Sequence, residues 1–242
     1  GLASTLGNGT MTNDLVEFAT DTDVFLLIGT NTSECHPIIA MQMQRGLERG
    51  AKMIVVDPKR TDMAKKADIF LQIPVCSNIK TLNTMMNVII SENLQDSEFI
   101  EKYAEGFEYL KEAVKDFTPE RFERETGVKK ELITEAARMY AKAGSAAICY
   151  TMGITQFSDG TSNVFSLSNL AILTGNLGKK GAGVNPLRGQ NNVQGSCDMG
   201  ALPNVIPAGA VNSAYAQEQA RKVWNFELNP VPGFKLTYAP DK

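Results

Sequence analysis

Arg188 stands alone among amide side chains in the run Asn185-Pro186-Leu187-Arg188-Gly189-Gln190-Asn191-Asn192-Val193-Gln194-Gly195. A guanidinium presents a rigid fork of donors that meets a small planar carboxylate two-on-two, a match the point charge of lysine does not make. The flanking Asn and Gln side chains supply donors and acceptors together, as a cofactor rich in heteroatoms requires. The same run also reads as a glycine-rich linker with one solvated arginine. Residue types leave both readings open.

Three further segments carry anion and ribose chemistry. Gly29-Thr30-Asn31-Thr32-Ser33-Glu34 joins a glycine, which permits close backbone approach, to small side chains that donate to phosphate oxygens. Asp57-Pro58-Lys59-Arg60-Thr61 sets a carboxylate, able to accept from both hydroxyls of a ribose, beside cations and a hydroxyl suited to phosphate. Val75-Cys76-Ser77-Asn78 opens a helix whose free N–H groups favour an anion. All three also fit ordinary turns with suitable caps. No GxGxxG accompanies them, because Gly29 is followed by Thr30-Asn31-Thr32, and a conventional NAD-type site is disfavoured.

Other chemistries fall away. His36 is the only histidine, and with no partner cluster it reads as structural; no Ser/His/Asp set can be assembled without it, and no Gly-x-Ser-x-Gly turn exists. Cys35, Cys76, Cys149 and Cys197 contain no CxxC, so no zinc or iron–sulfur ligand set is read and no metal ligand is expected. Free thiols in a reducing, cytoplasmic compartment are expected instead. A formal net charge of -3 and a pI near 5.4 leave no basic surplus for a nucleic-acid partner. The apolar runs are strand-sized, far short of the ~20 residues that cross a bilayer, so no direct membrane insertion is expected.

These segments matter only if the right elements hold them. A doubly wound sheet binds its ligands outside the carboxyl ends of its strands. The apolar run Val24-Phe25-Leu26-Leu27-Ile28 predicts a strand covered on both faces, ending at Gly29. A helix is predicted from Pro37 to about Arg49, with Gly50 as its stop. Lys52-Met53-Ile54-Val55-Val56 predicts a second strand ending at Asp57, and Ile69-Phe70-Leu71-Gln72-Ile73 a third ending at Pro74. Asn78 is the expected cap of a helix reaching Ile90. Residues 96–143 read as helical, with Thr118-Pro119 as one start and Leu132, Ile133, Ala136, Ala137 and Tyr140 on a core-facing stripe. A strand over 145–150 and a helix over 161–173 follow. Residues 185–207 read as a long irregular connection, a kind usually functional, disordered or a crossing between domains. The tail, 204–242, lacks a sheet to pack on and is expected to be mobile or partly disordered. The whole predicts a doubly wound, mostly parallel α/β fold over residues 1–190 and the start of a second, incomplete α/β domain over 191–242.

The segment Leu173-Thr174-Gly175-Asn176-Leu177-Gly178 and the Arg188 run, continued by Ser196-Cys197-Asp198-Met199-Gly200-Ala201-Leu202-Pro203, resemble one family. It is the catalytic subunits of molybdenum or tungsten formate dehydrogenases, within the bis-molybdopterin guanine dinucleotide oxidoreductases. TGNLG resembles the superfamily broadly, and RGQNNVQG the formate branch in particular. Residues 23–37, Asp57-Pro58-Lys59-Arg60 and Met152-Gly153-Ile154-Thr155-Gln156-Phe157 agree, and the resemblance covers the chain to about Trp224. It implies a dinucleotide-binding-like first domain that holds one of two molybdopterin guanine dinucleotides. Carried over, Gly29, Asn31 and Glu34 line the pyrophosphate and guanosine side. Asp57 takes a ribose or guanine contact, with Pro58, Lys59 and Thr61 nearby. Ser77 and Asn78 fall in the next turn, and Met152, Gly153 and Gln156 in the one after. Arg188 matches the arginine that orients formate, with Gly189, Gln190 and Asn192 near the pterin.

The family's metal-bound cysteine or selenocysteine, the histidine after it and the four cysteines of its 4Fe-4S cluster correspond to nothing here. The chain, which opens on Gly1-Leu2-Ala3, is therefore expected to be an internal piece, inactive alone. Its expected partners are formate, the remainder of the catalytic subunit and electron-transfer subunits, in a parent that converts formate to carbon dioxide and two electrons or the reverse. Two alternatives stand beside this. One is another bis-molybdopterin oxidoreductase such as a nitrate reductase, the other a nucleotide-binding module without redox chemistry.

Overall fold

Aliphatic and β-branched runs build a sheet at the centre of the first of two units. The computed structural model describes residues 1–234, and the expectation for the tail reaches beyond them, so its part over 235–242 lies outside the described residues. Contacts divide the chain into Gly1–Leu187 and Arg188–Lys242. In the first unit, α1 (Leu2–Leu6) and α2 (Leu15–Thr20) lead to β1 (Val24–Ile28). Next come α3 (Thr32–Cys35) and α4 (Pro37–Arg49), then β2 (Lys52–Val56), α5 (Asp62–Lys66) and β3 (Ile69–Leu71). Five helices carry the chain onward: α6 (Asn78–Ser91), α7 (Ser97–Tyr103), α8 (Phe107–Val114), α9 (Pro119–Thr126) and α10 (Lys130–Ala141). Then follow β4 (Ala146–Tyr150), α11 (Met152–Thr155), α12 (Gly160–Leu173) and β5 (Gly183–Pro186).

Every strand pair in this sheet is parallel, and the order is β3-β2-β1-β4-β5. The chain winds outward from β1 to β3, then returns through the five helices to lay β4 on the other side of β1. The order thus reverses between β1 and β4, and a crevice must open at their carboxyl ends.

Alternation along the strands sends side chains to two cores. Val24, Leu26 and Ile28 join Ile54, Val56, Ile148 and Tyr150 under α6, α10 and α12, where Leu82, Met85, Ala136, Tyr140, Leu167 and Leu170 meet them. Phe25, Leu27, Met53, Val55 and Cys149 face the other way, against Phe18 of α2, Met43 of α4 and Met63 of α5. The sheet is therefore covered on both faces, which is why its central strands are continuously apolar. The Cys149 thiol, buried there, is pushed well up by desolvation and stays protonated.

Several expectations are revised. The third strand stops at Leu71, two residues early. Ser77, not Asn78, precedes α6, and neither side chain caps it. Leu132 is 37% exposed and lies off the stripe that Ile133, Ala136, Ala137 and Tyr140 form. The run 185–207 is not one loop. Its first residues belong to β5, an edge strand closed by Thr12 and Asn13: Val184 N donates to Thr12 Oγ1 (2.9 Å) and Asn13 N to Asn185 Oδ1 (3.2 Å). Side chains here do the work of a neighbouring strand.

The second unit holds α13 (Val193–Asp198), an antiparallel pair β6 (Val205–Ile206) and β7 (Gly209–Ala210), and α14 (Ala214–Trp224). Ser213 caps α14 by accepting from Ala216 N. No described helix is long and apolar enough to cross a membrane.

Candidate functional site

The carboxyl ends of β1, β2, β3 and β4 deliver four turns to the crevice. β1 runs into Gly29, whose φ of 58° only glycine adopts at ease. A Cβ on Gly29 would lie 2.6 Å from the Gly153 carbonyl carbon, and one on Gly153 2.6 Å from Gly29 Cα. Two strand-end loops touch backbone to backbone because neither has a side chain. Gly153 N donates to Gly29 O (3.2 Å), and Thr151 Oγ1 donates to the same carbonyl (2.7 Å). Asn78 Nδ2, from the first residue of α6, donates to Gly153 O (3.1 Å).

Around this junction Gly29, Asn31, Asp57, Pro58, Asn78 and Gly153 line one cavity of about 180 Å³. Of the residues proposed from sequence, these six are brought together. The lining is completed by Thr30, Pro74, Val75, Cys76 and Phe157. All five sit in or beside the strand-end segments, but nothing in their types separates them from ordinary turn residues. Whole drug-sized ligands occupy ~300–1,000 Å³, so this cavity suits one end of a larger molecule.

Two groups in it stand out electrostatically. Asn31 Oδ1 is buried and accepts no hydrogen bond. An orphaned buried acceptor costs about 1–3 kcal/mol, a cost that a ligand donor removes. Asp57 follows β2 and accepts from Lys59 N through Oδ1 (2.8 Å). Burial pushes its carboxyl above the usual value, outweighing the Lys59 backbone hydrogen bond and the Lys59 charge, which act the other way. Cys76 has φ 66°, and the other described non-glycine residues with positive φ are all asparagine, which tolerates it. Such backbone strain tends to persist where a site requires it.

Other candidates lie elsewhere. Glu34 is exposed on α3, and Lys59 is exposed past the Asp57 turn. Thr61 is 3% exposed and caps α5, accepting from Ala64 N (3.2 Å). Ser77 is 6% exposed and does not line the cavity. Met152 and Gln156 are exposed around α11 and do not line the cavity. Arg188, Gly189, Gln190 and Asn192 open the second unit and are exposed. There Asn192 has a left-handed backbone and caps α13, accepting from Gly195 N (3.2 Å). Among the described residues no three of His, Cys, Asp and Glu gather as a metal-holding group.

A larger cavity, about 600 Å³, opens in the first unit among Ile100, Tyr103, Phe107, Leu110, Ile172 and Leu173. None of the unpartnered buried polar atoms lines it. Size alone does not make it the site, because it is lined largely by apolar side chains and no buried unpartnered group marks it.

Known proteins place these features in context. Residues 3–240 match the family model described as molybdopterin oxidoreductase. The F420-dependent formate dehydrogenase subunit alpha of Methanocaldococcus jannaschii is 51% identical over 239 residues, covering 98% of this chain and 35% of the relative. Formate dehydrogenase H of Escherichia coli is 46% identical over 244 residues, 100% of this chain and 34% of the relative. The chain thus spans about a third of the length of the curated relatives it matches. Among solved structures, acetylene hydratase from Pelobacter acetylenicus aligns with a TM-score of 0.68 at 30% identity, covering 74% of this chain and 24% of that one.

Proposed function

This chain belongs to the molybdopterin oxidoreductase family, and from that premise we propose that it is the part of a formate dehydrogenase catalytic subunit that grips the guanosine end of a molybdopterin guanine dinucleotide. The observation that carries the proposal is the cavity at the strand-order reversal, lined by Asn31, whose buried Oδ1 has no donor, and by Asp57, whose carboxylate is partly desolvated. Acceptors suit a ligand edge rich in donors: guanine's N1–H and 2-amino group offer two side by side where adenine's edge offers no such pair, while the ribose diol is common to both nucleosides. The Gly29–Gly153 contact leaves bare backbone where the pyrophosphate passes, and the start of α6 offers unpaired N–H groups to it. The residues present fit such a group.

In this reading Asp57 and Asn31 orient the nucleoside, while Pro58 and Asn78 bound it. Glu34, Lys59, Thr61, Ser77, Met152 and Gln156 form the surrounding turns rather than direct contacts. Arg188 holds the formate carboxylate through its planar fork, and Gly189, Gln190 and Asn192 serve the pterin. The cofactor, carrying molybdenum or tungsten, supplies the two-electron chemistry when bound, while the protein's share is orientation and charge stabilisation. The 4Fe-4S cluster and the electron-transfer subunits belong to the parent enzyme, which turns formate into carbon dioxide and two electrons or runs the reverse. A cytoplasmic place is part of the same reading, supported by four free thiols.

The test is calorimetric titration of the chain with guanosine diphosphate, with adenosine diphosphate as control. Selective guanosine binding that weakens in Asp57→Ala is the expected result. Preference for adenosine diphosphate would point instead to a plain nucleotide-binding module.

A further inference from the structure

We propose that Thr151 and Asn78 are positioning residues, a side-chain clasp that fixes the two loops flanking the strand-order reversal and so aims Asn31 at its ligand. The inference rests on the reading above, in which this crevice takes the end of a nucleoside diphosphate. Its basis is three hydrogen bonds from three elements that meet at two glycines. Gly153 N and Thr151 Oγ1 both donate to Gly29 O, at 3.2 and 2.7 Å, so both lone pairs of that carbonyl are engaged. Asn78 Nδ2 donates to Gly153 O at 3.1 Å and ties the start of α6 to the same junction. Backbone contact brings the loops together, and the side chains keep them there.

The geometry gives each residue a definite task. Asn78 is 7% exposed, and its amide nitrogen is committed to the β4 loop. Through that bond it acts on a ligand by way of Gly153. Thr151 belongs to the turn after β4 yet holds the carbonyl of the turn after β1, residues separated by 122 positions. Gly29 has a left-handed backbone, and glycine released from its contacts samples many conformations. Two residues beyond Gly29 lies Asn31, whose buried Oδ1 has no donor. Its direction therefore depends on how firmly Gly29 is held. Ordering the loop on folding removes that cost from binding, the general advantage of a preorganised site.

The hydroxyl and the shape of Thr151 can be separated. Thr151→Val keeps the branched outline without the donor, Thr151→Ser keeps the donor without the methyl, and Asn78→Ala opens the clasp from α6. In the 242-residue chain, guanosine diphosphate affinity is measured by calorimetry and exchange of the Gly153 amide by NMR. Thr151→Val is expected to bind about fivefold to tenfold more weakly, the effect of losing one hydrogen bond's worth of order. Exchange at Gly153 N–H accelerates, and Thr151→Ser restores both. Asn78→Ala gives the same pair of changes, and if Thr151→Val does not fold, Thr151→Ala takes its place against the same Thr151→Ser rescue. Faster exchange with unchanged affinity would overturn the positioning role, as would weaker binding in Thr151→Val that serine does not rescue. If the unaltered chain takes neither guanosine nor adenosine diphosphate, the functional reading fails and the positioning role with it. The exchange rates then still tell whether the clasp exists.

Discussion

The two ends of the central sheet are built on opposite plans. At the amino end, several polar groups of the strand starts are closed against one another. Ser145 N and Asp23 Oδ2 pair (3.1 Å), as do Asp23 N and Ser145 Oγ (3.1 Å), and Arg49 donates to the Thr22 carbonyl. Thr22 Oγ1 reaches Gly181 O (2.8 Å), and Ala146 N reaches Asn176 Oδ1 (3.0 Å). At the carboxyl end, Asn31 Oδ1 has no donor, Asp57 carries a desolvation penalty, and Cys76 holds a left-handed backbone. Satisfied groups gain nothing from a ligand, whereas orphaned ones do. One end secures the fold, and the other keeps interactions in reserve for binding.

The sharpest way to break that contrast is to fill the crevice. Gly29→Val places a branched side chain within 2.6 Å of Gly153 backbone at positive φ. Overpacking and backbone strain together should lower stability by about 2–4 kcal/mol and abolish nucleotide binding. Denaturant titration reads the first and calorimetry the second. A variant that still binds would mean the Gly29–Gly153 contact is not the floor of the site.

The amino end should fail in a different manner. Asn176 is fully buried, accepts from Ala146 N and donates from Nδ2 to Thr174 Oγ1 (2.9 Å). Asn176→Ala strands the Ala146 N–H in the core, and a loss of about 1–3 kcal/mol is expected. Nucleotide affinity of the folded fraction should not change. If affinity falls along with stability, the two ends are coupled through β4 and the division of labour is wrong.

How much of this was legible beforehand differs along the chain for physical reasons. The strands at Val24–Ile28 and Lys52–Val56 were readable because a strand buried on both faces must be apolar along its buried length, which in the second begins after the exposed Lys52. The helix over Pro37–Arg49 carried both its start and its stop. The Gly183–Pro186 strand was not readable. Its four residues include a glycine and a proline, and it is a strand only because β4 and the Thr12–Asn13 segment lie on either side. In the site, Gly29, Asn31 and Asp57 announced themselves by following strands. Thr151 did not, since a threonine after a strand is commonplace and its partner lies 122 positions away. Likewise Asn78 was legible as a turn residue, but its bond to Gly153 depends on the tertiary fold.

The smallest expected effect compares two aspartates at opposite ends of the sheet. Asp57 follows β2 at the open end, and desolvation raises its pKa despite the Lys59 backbone hydrogen bond. Asp68 precedes β3 at the closed end. Desolvation opposes its ionisation too, but hydrogen bonds from Lys52 Nζ (2.9 Å) and Met53 N (2.9 Å) outweigh it and lower the pKa. Linkage then gives opposite signs. For Asp57 the folded pKa lies above the unfolded one, so ionisation costs stability, fully so above the folded value and not at all below the ordinary ~3.9. Asp57→Asn, whose Oδ1 still accepts from Lys59 N, should raise the melting temperature slightly at neutral pH, and that gain should vanish in acid. For Asp68 the folded pKa lies below the unfolded one, so its contribution is present above ~3.9 and disappears as pH falls through the folded value. Asp68→Asn should lower the melting temperature at neutral pH and converge with the unaltered chain in acid. Both groups are at least partly exposed to solvent, which keeps each change within ~1 kcal/mol. Thermal melts of both variants from pH 3 to pH 8 should therefore diverge from the unaltered chain in opposite directions as pH rises. Divergence in the same direction would show that the two ends do not differ in how they treat a carboxylate. Weaker guanosine diphosphate binding in the more stable Asp57→Asn would show that the carboxylate is kept for the ligand at the expense of the fold.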